Sequence, residues 1–443
     1  MTTLRVAGGR VLRPDMTIET ADVLVDAEAG EILAVDEPAA IDDDPDLPNV
    51  ENADRTLDAE GDLVVPGLIN AHTHVAMTLL RGLADDKPLD AWLQEDIWPV
   101  EAELTPEDVR AGADLGILEM IRSGTTTFSD MYFHVDRIAE AVDDAGIRAV
   151  LGHTAITVGK DENAAAADVR DSIDVAAELD GAADGRISTT LQPHSLTTVS
   201  EDALDTFAES AENSAKLLHF HANETTDEVD PIVEEQDERP LAYADELGLL
   251  RSDAALAHCV HVDESELDLL AERGTGVVHC PASNMKLASG MAPVQAMLDR
   301  DIPVAIGTDG AASNNDLDVF DELRDAAMIG KLAADDAAAV PAEDAVRMAT
   351  AGGADVLGID AGRIEPGAAA DLAVIDLDAA HLTPEHDLVS HLAYAARGSD
   401  VRHTVCDGQV LMADREVTTL EEAAVRERAA EHAAALVERA GAD

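Results

Sequence analysis

Two histidines, at positions 72 and 74 with one residue between them, closely follow the apolar run of residues 63–69. Because side chains on a β-strand alternate between its two faces, His72 and His74 point in the same direction. In barrel enzymes the carboxyl ends of the strands carry the active site. Two imidazoles that converge at such an end predict half of a metal site.

Polar residues that could do chemistry also follow other predicted strands. They are Asp130, His194, His221, His258, His279 and Asp309. A single histidine at a strand end is more often a core or hydrogen-bonding residue than a ligand. The pattern as a whole points to function, because buried polar groups are costly unless used and a barrel brings all these ends to one face.

The simplest metal-binding set is His72, His74, His221 and Asp309. Three imidazoles and one carboxylate suit Zn²⁺ or Fe²⁺ with a position left for water. Such a metal lowers the pKa of the water to about 7, which favours hydrolytic chemistry. His219 faces the same side as His221, and we prefer His221 because it lies nearer the carboxyl end of its strand.

Two further residues have alternative interpretations. Glu224 closely follows His221 and is expected to reach the same cavity as a general acid and base. Its alternative role is to cap the next helix. Trp92 either packs in the core or lines a pocket for a flat ligand, and both alternatives stay open.

The charge of the chain excludes some classes of partner. The 443 residues include 92 Asp and Glu against 29 Lys and Arg, for a formal net charge of −63. Nucleic-acid binding needs a basic surface, so no such partner is expected. Hydrophobic residues make up 46% of the chain, enough for a folded core. We therefore expect a folded protein adapted to high salt, where counterions screen the self-repulsion.

The chain lacks the patterns of membrane and secreted proteins. No uncharged apolar run reaches about 18 residues, so no membrane span is expected. The N-terminus lacks the basic and apolar regions of a signal peptide. The cysteines, Cys259, Cys280 and Cys406, form no CxxC pair. This cysteine content is typical of a reduced, cytoplasmic protein. Separately, we expect the protein to form a homo-oligomer.

Strands alternate with helical segments through the middle of the chain. The predicted strands are residues 63–71, 125–129, 149–153, 187–192, 217–221, 255–260, 276–279 and 304–308. Such alternation predicts a (β/α)8 TIM-like barrel. The alternative is an open doubly wound sheet, but no GxGxxG motif follows the first strand to indicate a dinucleotide site.

Short strands separated by turns flank this region on both sides. They predict a small β-sandwich domain formed by both chain ends. We place this composite domain at residues 1–61 plus 359–443, with a C-terminal helix over residues 418–443. The catalytic barrel would then occupy residues 62–358.

Several segments resemble the amidohydrolase superfamily. Residues 66–74 (PGLINAHTH) are similar to its opening metal motif, and residues 307–314 (GTDGAASN) to its closing one. Further similarity points to the deaminase branch, above all to the 5-methylthioadenosine/S-adenosylhomocysteine deaminase family. It lies in residues 92–101, 125–133, 193–195, 257–261 and 280–290.

The resemblance implies one divalent metal on His72, His74, His221 and Asp309. Binuclear members use a lysine on the fourth strand to bridge two metals, and residues 187–192 contain none. The implied partner is a small-molecule nucleoside. The implied reaction is hydrolytic deamination at C6 of adenine, which yields the inosine derivative and ammonia.

The resemblance also implies roles for individual residues. Glu101 would grip the ribose, and His194 would contact the nucleoside. Glu224 would bind the purine and protonate a ring nitrogen. His258 and Asp309 would take the proton that the attacking water loses.

One position departs from the family pattern. Where the family often has an arginine that meets the substrate, at the end of the third strand, this chain has His153. Arg170 is a candidate for a second arginine contact. The preferred 5′-substituent therefore stays open among S-adenosylhomocysteine, which carries a carboxylate, and 5′-methylthioadenosine, 5′-deoxyadenosine or adenosine.

Three other functions are compatible with this pattern. The first is deamination of guanine, cytosine or a triazine by another member of the superfamily. The second is hydrolysis of a cyclic amide or of a chlorinated triazine. The third is a non-catalytic scaffold, against which the complete metal set and Glu224 argue.

Overall fold

The computed structural model describes residues 2–44, 47–48 and 53–442. Residues 1, 45–46, 49–52 and 443, which fall in the predicted terminal domain, lie outside the described residues. The strands are β1 (Thr3–Leu12), β2 (Ile18–Asp26), β3 (Glu31–Asp36), β4 (Arg55–Asp58), β5 (Leu63–Pro66), β6 (Leu68–Thr73), β7 (Thr125–Tyr132), β8 (Arg148–Ala155), β9 (Ile187–Pro193), β10 (Leu217–Ala222), β11 (Ala254–His258), β12 (Gly276–His279), β13 (Val304–Ile306), β14 (Leu372–Ile375), β15 (Val401–Cys406), β16 (Gln409–Ala413) and β17 (Glu416–Val417).

Helices connect most of these strands. They are α1 (Pro38–Asp43), α2 (Leu89–Trp92), α3 (Trp98–Glu101), α4 (Pro106–Arg122), α5 (Val135–Ala145), α6 (Glu162–Glu178), α7 (Glu201–Ser214), α8 (Thr226–Gln236), α9 (Pro240–Glu246), α10 (Glu264–Arg273), α11 (Pro281–Lys286), α12 (Val294–Leu298), α13 (Val319–Ala334), α14 (Ala342–Met348), α15 (Ala351–Leu357), α16 (Leu388–Tyr394) and α17 (Glu422–Ala440). A 3₁₀ segment, Val75–Leu80, follows β6, and a π-helical segment, Leu93–Ile97, joins α2 to α3.

Strands β6 to β13 form an eight-stranded sheet in which each strand pairs with its neighbour in sequence. The pairs are parallel, for example β7 with β8 and β10 with β11. The sheet curls until its two edges meet, where the Asp309 backbone N–H donates to the His72 carbonyl at 3.0 Å. The predicted (β/α)8 barrel is therefore confirmed.

The predicted strand at residues 63–71 is wrong as a single element. β5 belongs to the sheet formed by the chain ends, whereas β6 opens the barrel. Gly67 lies between them, so close to Thr126 that a Cβ atom would stand 2.1 Å from its Oγ1. A continuous apolar run does not reveal a change of sheet, because both strands are buried.

Both ends of the chain contribute to the second sheet. Its strand order is β17-β16-β15-β14-β5-β1-β2-β3, with β4 beside β1. The junction of the two ends lies where β14 pairs antiparallel with β5, Leu372 opposite Pro66. This sheet packs its own apolar cluster, which includes Val6, Val64 and Val374.

The C-terminal helix α17 is fastened to α4 by ion pairs. Asp108 and Asp114 of α4 are each 1% exposed. Asp108 accepts from His432 Nδ1 at 2.7 Å, and Asp114 pairs with Arg428 at 2.7 Å. None of the helices among the described residues combines the length and apolar character needed to cross a membrane.

Candidate active site

A cavity of about 550 Å³ opens at the carboxyl ends of the barrel strands. His74 follows β6, Tyr132 ends β7, His194 follows β9, and Asp309 follows β13. These residues line the cavity together because parallel barrel strands all end on one face. A cavity of this size suits a small molecule.

Four side chains meet at the floor of this cavity. The ligand atoms of His72, His74, His221 and Asp309 all lie within 4.8 Å of one another. Asp309 Oδ1 is 3.1 Å from His74 Nε2 and 3.5 Å from His72 Nε2. The structure thus brings together the set that the sequence predicts as metal ligands.

Hydrogen bonds orient two of these rings. Nδ1 of His74 donates to the Met131 carbonyl at 2.6 Å, and Nδ1 of His221 donates to the His194 carbonyl at 2.8 Å. Nε2 of each ring is therefore directed at another partner. Backbone carbonyls in this position are the usual supports of metal-binding histidines.

The third ring leaves a buried nitrogen without a partner. Nε2 of His72 makes no hydrogen bond to the described residues. An unpaired buried polar atom is costly, so its presence calls for a ligand. A divalent cation held by three imidazoles and one carboxylate satisfies it, and the donor set suits zinc.

His219 lies behind His72 in the barrel interior. Its Nε2 is 3.0 Å from His72 Nδ1, and its Nδ1 is 3.2 Å from Ser129 Oγ. Burial holds the pKa of His219 well below its usual range, so the ring is neutral. Sequence reasoning sets His219 aside in favour of His221, but the two have different positions: His221 faces the cavity and His219 supports His72.

Two serines hold the carboxylate of Asp309. Ser283 Oγ and Ser313 Oγ each donate to its Oδ2 at 2.7 Å. This leaves Oδ1 directed at the histidines. The orientation of Asp309 is thus fixed by hydrogen bonds from one side chain of α11 and one side chain of the loop after β13.

Glu224 lines the cavity beside the four-residue set. Its Oε1 accepts from Ser289 Oγ at 3.0 Å, and its Oε2 is 3.8 Å from His258 Nε2. Burial raises the pKa of Glu224. The helix-cap alternative is wrong, since Thr225 is the N-cap of α8 and accepts from the Glu228 backbone.

A hydrogen bond to Asn284 orients the His258 ring. Its Nδ1 donates to Asn284 Oδ1 at 2.9 Å, which turns Nε2 towards Glu224. Burial disfavours the imidazolium, yet the charges of Glu224 and Asp309 outweigh it and raise the pKa of His258. A proton can therefore be shared between His258 and the carboxylates around it.

Glu101 and Trp92 form part of the opposite wall. Tyr132 Oη donates to Glu101 Oε1 at 2.6 Å, and burial raises the pKa of this carboxyl group. Trp92 is 4% exposed, and its Nε1 donates to the Ala84 carbonyl at 3.2 Å. Both interpretations of Trp92 describe it, because it packs in the core and also lines the cavity.

His194 lines the cavity, with Nδ1 2.8 Å from Thr198 Oγ1. Burial, with the charge of His74, lowers the pKa of His194 to about 3. Asp130 and His279 are buried but are not among the lining residues. Asp130 accepts from the Val75 N–H at 2.6 Å and so anchors the turn after His74.

His153 and Arg170 are not among the residues that line the cavity. His153 Nε2 is hydrogen-bonded to Asp168 Oδ1 at 3.1 Å. Arg170 is exposed on α6. The two candidates for contact with a substrate carboxylate therefore lie outside the described cavity wall.

Sequence reasoning missed the polar residues that hold the site in place. They are Tyr132, Ser283, Asn284, Ser289 and Ser313. All five lie within segments that carry the family resemblance: Tyr132 in 125–133, Ser313 in the closing metal motif, and the other three in 280–290. The polar residues of 280–290 directly after a strand were the available signal.

Comparisons with known proteins agree with this geometry. The model of the Amidohydrolase family matches residues 63–411. The chain is 69% identical to the 5-methylthioadenosine/S-adenosylhomocysteine deaminase of Haloarcula marismortui, over 100% of both chains. It is 47% identical to the 5'-deoxyadenosine deaminase of Methanothermobacter thermautotrophicus, over 87% of this chain and 90% of that one. An adenosine deaminase from Xanthomonas campestris, solved with bound zinc, has a TM-score of 0.91 and 37% identity over 99% of both chains.

Proposed function

The chain belongs to the amidohydrolase family, and from this we propose that it deaminates 5′-substituted adenosines by hydrolysis. The products are the inosine derivative and ammonia. The observation that carries the proposal is the position of Glu224, a buried carboxyl beside His258 in the cavity that His74, His221 and Asp309 also line. Relatives named as deaminases of such nucleosides support the substrate class.

A divalent metal belongs on His72, His74, His221 and Asp309, whose ligand atoms converge. When bound, it supplies Lewis-acid activation of the attacking water. We propose zinc, supported by the zinc in the related adenosine deaminase, with Fe²⁺ as the alternative. Metal analysis of the purified protein by mass spectrometry distinguishes the two.

Proton transfer is proposed for three residues of the chain. Water adds to C6 of the adenine ring, and His258 and Asp309 receive the proton that it loses. Glu224, whose raised pKa keeps it protonated nearer to neutral pH, donates to a ring nitrogen as C6 becomes tetrahedral. The proton taken from the water then passes to the departing amino group, the C6–N bond breaks, and ammonia leaves. As the C6 carbonyl forms, the C6 hydroxyl gives up its proton and Glu224 is reprotonated.

Positioning of the nucleoside is proposed for the other wall of the cavity. Glu101, held by Tyr132, would accept from the ribose hydroxyls. His194, neutral because of its lowered pKa, would contact the nucleoside through Nε2. Trp92 offers an apolar surface to the flat base.

The proposal is tested by ammonia release. Metal-loaded protein in concentrated salt should convert 5′-methylthioadenosine to its inosine derivative with one ammonia per turnover. Guanine, cytosine and triazines serve as the comparison panel. Faster turnover of any of these than of every adenosine would refute the substrate class.

We also propose that both chain ends form one composite unit around the barrel, which the shared sheet supports. The sequence places this unit at residues 1–61 plus 359–443 and the barrel at 62–358, but β5 (Leu63–Pro66) lies in the composite sheet, which moves the first boundary to Gly67. Limited proteolysis should cut near these boundaries first.

A cytoplasmic location is proposed because all three cysteines are free and buried. A homo-oligomer is proposed because Met328 and Leu332 are exposed on α13, and light scattering measures the mass.

A further inference from the structure

The charges around the cavity point to a narrower substrate choice. Resting on the proposed function, we infer that the cavity selects adenosines with a neutral 5′-substituent and discriminates against the carboxylate of S-adenosylhomocysteine. The preferred substrates are then 5′-methylthioadenosine and 5′-deoxyadenosine. The discrimination arises from the side chains that line and surround the cavity.

None of the described residues that line the cavity is a lysine or an arginine, and the ionisable side chains among them are carboxyls, histidines and Tyr132. The carboxyl residues are Asp90, Glu101, Glu224, Asp227, Glu228 and Asp309. A carboxylate that enters this space meets no guanidinium or ammonium group on the wall. It loses hydration and gains no ion pair with a lysine or arginine in return.

Cations that lie next to lining residues in sequence are already paired. Lys87 binds Asp96 at 2.5 Å and Glu95 at 3.1 Å. Lys286 binds Asp85 at 2.7 Å. To bind a substrate carboxylate, either lysine would have to give up an existing ion pair.

The end of the third barrel strand presents a closed ion-pair cluster. Asp168 accepts from His153 at 3.1 Å, from Lys160 at 2.6 Å and from the Ile156 N–H at 2.7 Å. The carboxylate of Asp168 thus satisfies both neighbouring basic side chains. A second carboxylate arriving here would compete with a bound one.

Arg170 is turned away from this cluster. It stands two residues after Asp168 on α6, and two residues of an α-helix correspond to a rotation of about 200°. Since Asp168 faces the barrel strand through His153, Arg170 faces outward, as its exposure shows. It is therefore not placed to meet a ligand in the cavity.

The rest of the wall suits a small apolar substituent. Leu89, Leu93, Phe133, Ile156 and Leu287 line the cavity. A methyl or methylthio group gains contact with such side chains and needs no hydrogen bond. The amino-acid tail of S-adenosylhomocysteine brings a carboxylate that none of these groups can pair.

The first test compares kcat/KM for 5′-methylthioadenosine, 5′-deoxyadenosine and S-adenosylhomocysteine in one concentrated-salt buffer. Because a hydrogen bond to a charged group contributes about tenfold to hundredfold in binding, S-adenosylhomocysteine should be slower by about that factor. Equal or faster turnover of S-adenosylhomocysteine overturns the inference and leaves the proposed function intact. Absence of turnover with every adenosine refutes the proposed function instead.

A second substrate separates charge from bulk. 5′-Deoxy-5′-(3-aminopropylthio)adenosine keeps the thioether chain and the ammonium group but lacks the carboxylate. Its kcat/KM should recover to within a few-fold of the value for 5′-methylthioadenosine, since the unpaired group is gone. A value as low as that of S-adenosylhomocysteine would show that chain length, not the carboxylate, is rejected, and would overturn the inference.

Arg170→Gln supplies the variant control. Because Arg170 is exposed and is not among the residues that line the cavity, the change should leave kcat/KM unaltered for 5′-methylthioadenosine and for S-adenosylhomocysteine. A selective fall with S-adenosylhomocysteine would reveal an arginine contact and contradict the assignment. Circular dichroism confirms that the variant is folded.

Discussion

Replacement of His219 by leucine should weaken metal binding although His219 is not itself a proposed ligand. When Nε2 of His72 binds a metal, the ring proton resides on Nδ1, which then donates to His219 Nε2, 3.0 Å away. His219 in turn carries its proton on Nδ1 and donates to Ser129 Oγ at 3.2 Å. Leucine removes the acceptor and leaves a buried N–H of His72 without a partner.

The magnitude follows from that lost contact. An unsatisfied buried donor costs about 1–3 kcal/mol. Loss of a group that supports a metal-binding histidine typically lowers metal affinity by about tenfold to hundredfold. The two values agree, because 1.4 kcal/mol corresponds to about one factor of ten. We expect the dissociation constant for zinc to rise by about this factor in His219→Leu.

The assay is competition for zinc with a chromophoric chelator, which reads metal binding without any turnover. His219→Gln is the matched variant, since its amide oxygen can accept from His72 Nδ1 and should recover much of the affinity. Ser129→Ala removes only the outer hydrogen bond and should have the smallest effect. Unchanged zinc affinity in His219→Leu, with folding intact by circular dichroism, would refute this role for His219.

Three further predictions concern catalysis and stability. Glu224→Gln should lower kcat by about 10²–10⁴-fold with full metal content, as for loss of a general acid; normal deamination would contradict the role of Glu224. Tyr132→Phe removes the 2.6 Å hydrogen bond to Glu101 and should raise KM for the nucleoside by about tenfold with little change in kcat; a loss confined to kcat would argue against ribose positioning. Dilution from concentrated salt should unfold the protein, because the net charge of −63 is then unscreened; full stability in dilute buffer, by thermal unfolding, would contradict salt adaptation.

The sequence predicts the barrel because its signals are local. Apolar strands such as 276–279 alternate with helical segments, and the structure has β12 at Gly276–His279. His72 and His74 are recognisable because strand periodicity fixes their common direction. The pairing of both chain ends in one sheet could also be predicted, because both ends show the same pattern of short strands separated by turns.

The supports of the site were not predictable in this way. The bond of His219 to His72 joins β10 to β6 across the barrel interior, and no local pattern encodes that distance. The break at Gly67 depends on its contact with Thr126, a residue distant in sequence. Spacing along the chain identifies which residues face the cavity. Packing between strands determines which side chains orient those residues by hydrogen bonds.

The position of β14 between β5 and β15 has a consequence for biosynthesis. Until the ribosome has made Leu372–Ile375, β5 lacks its antiparallel neighbour and its edge stays open. Translation adds only about 5–20 residues per second, and unpaired strand edges promote aggregation. The open edge of β5 is therefore an aggregation hazard for as long as translation takes to reach β14.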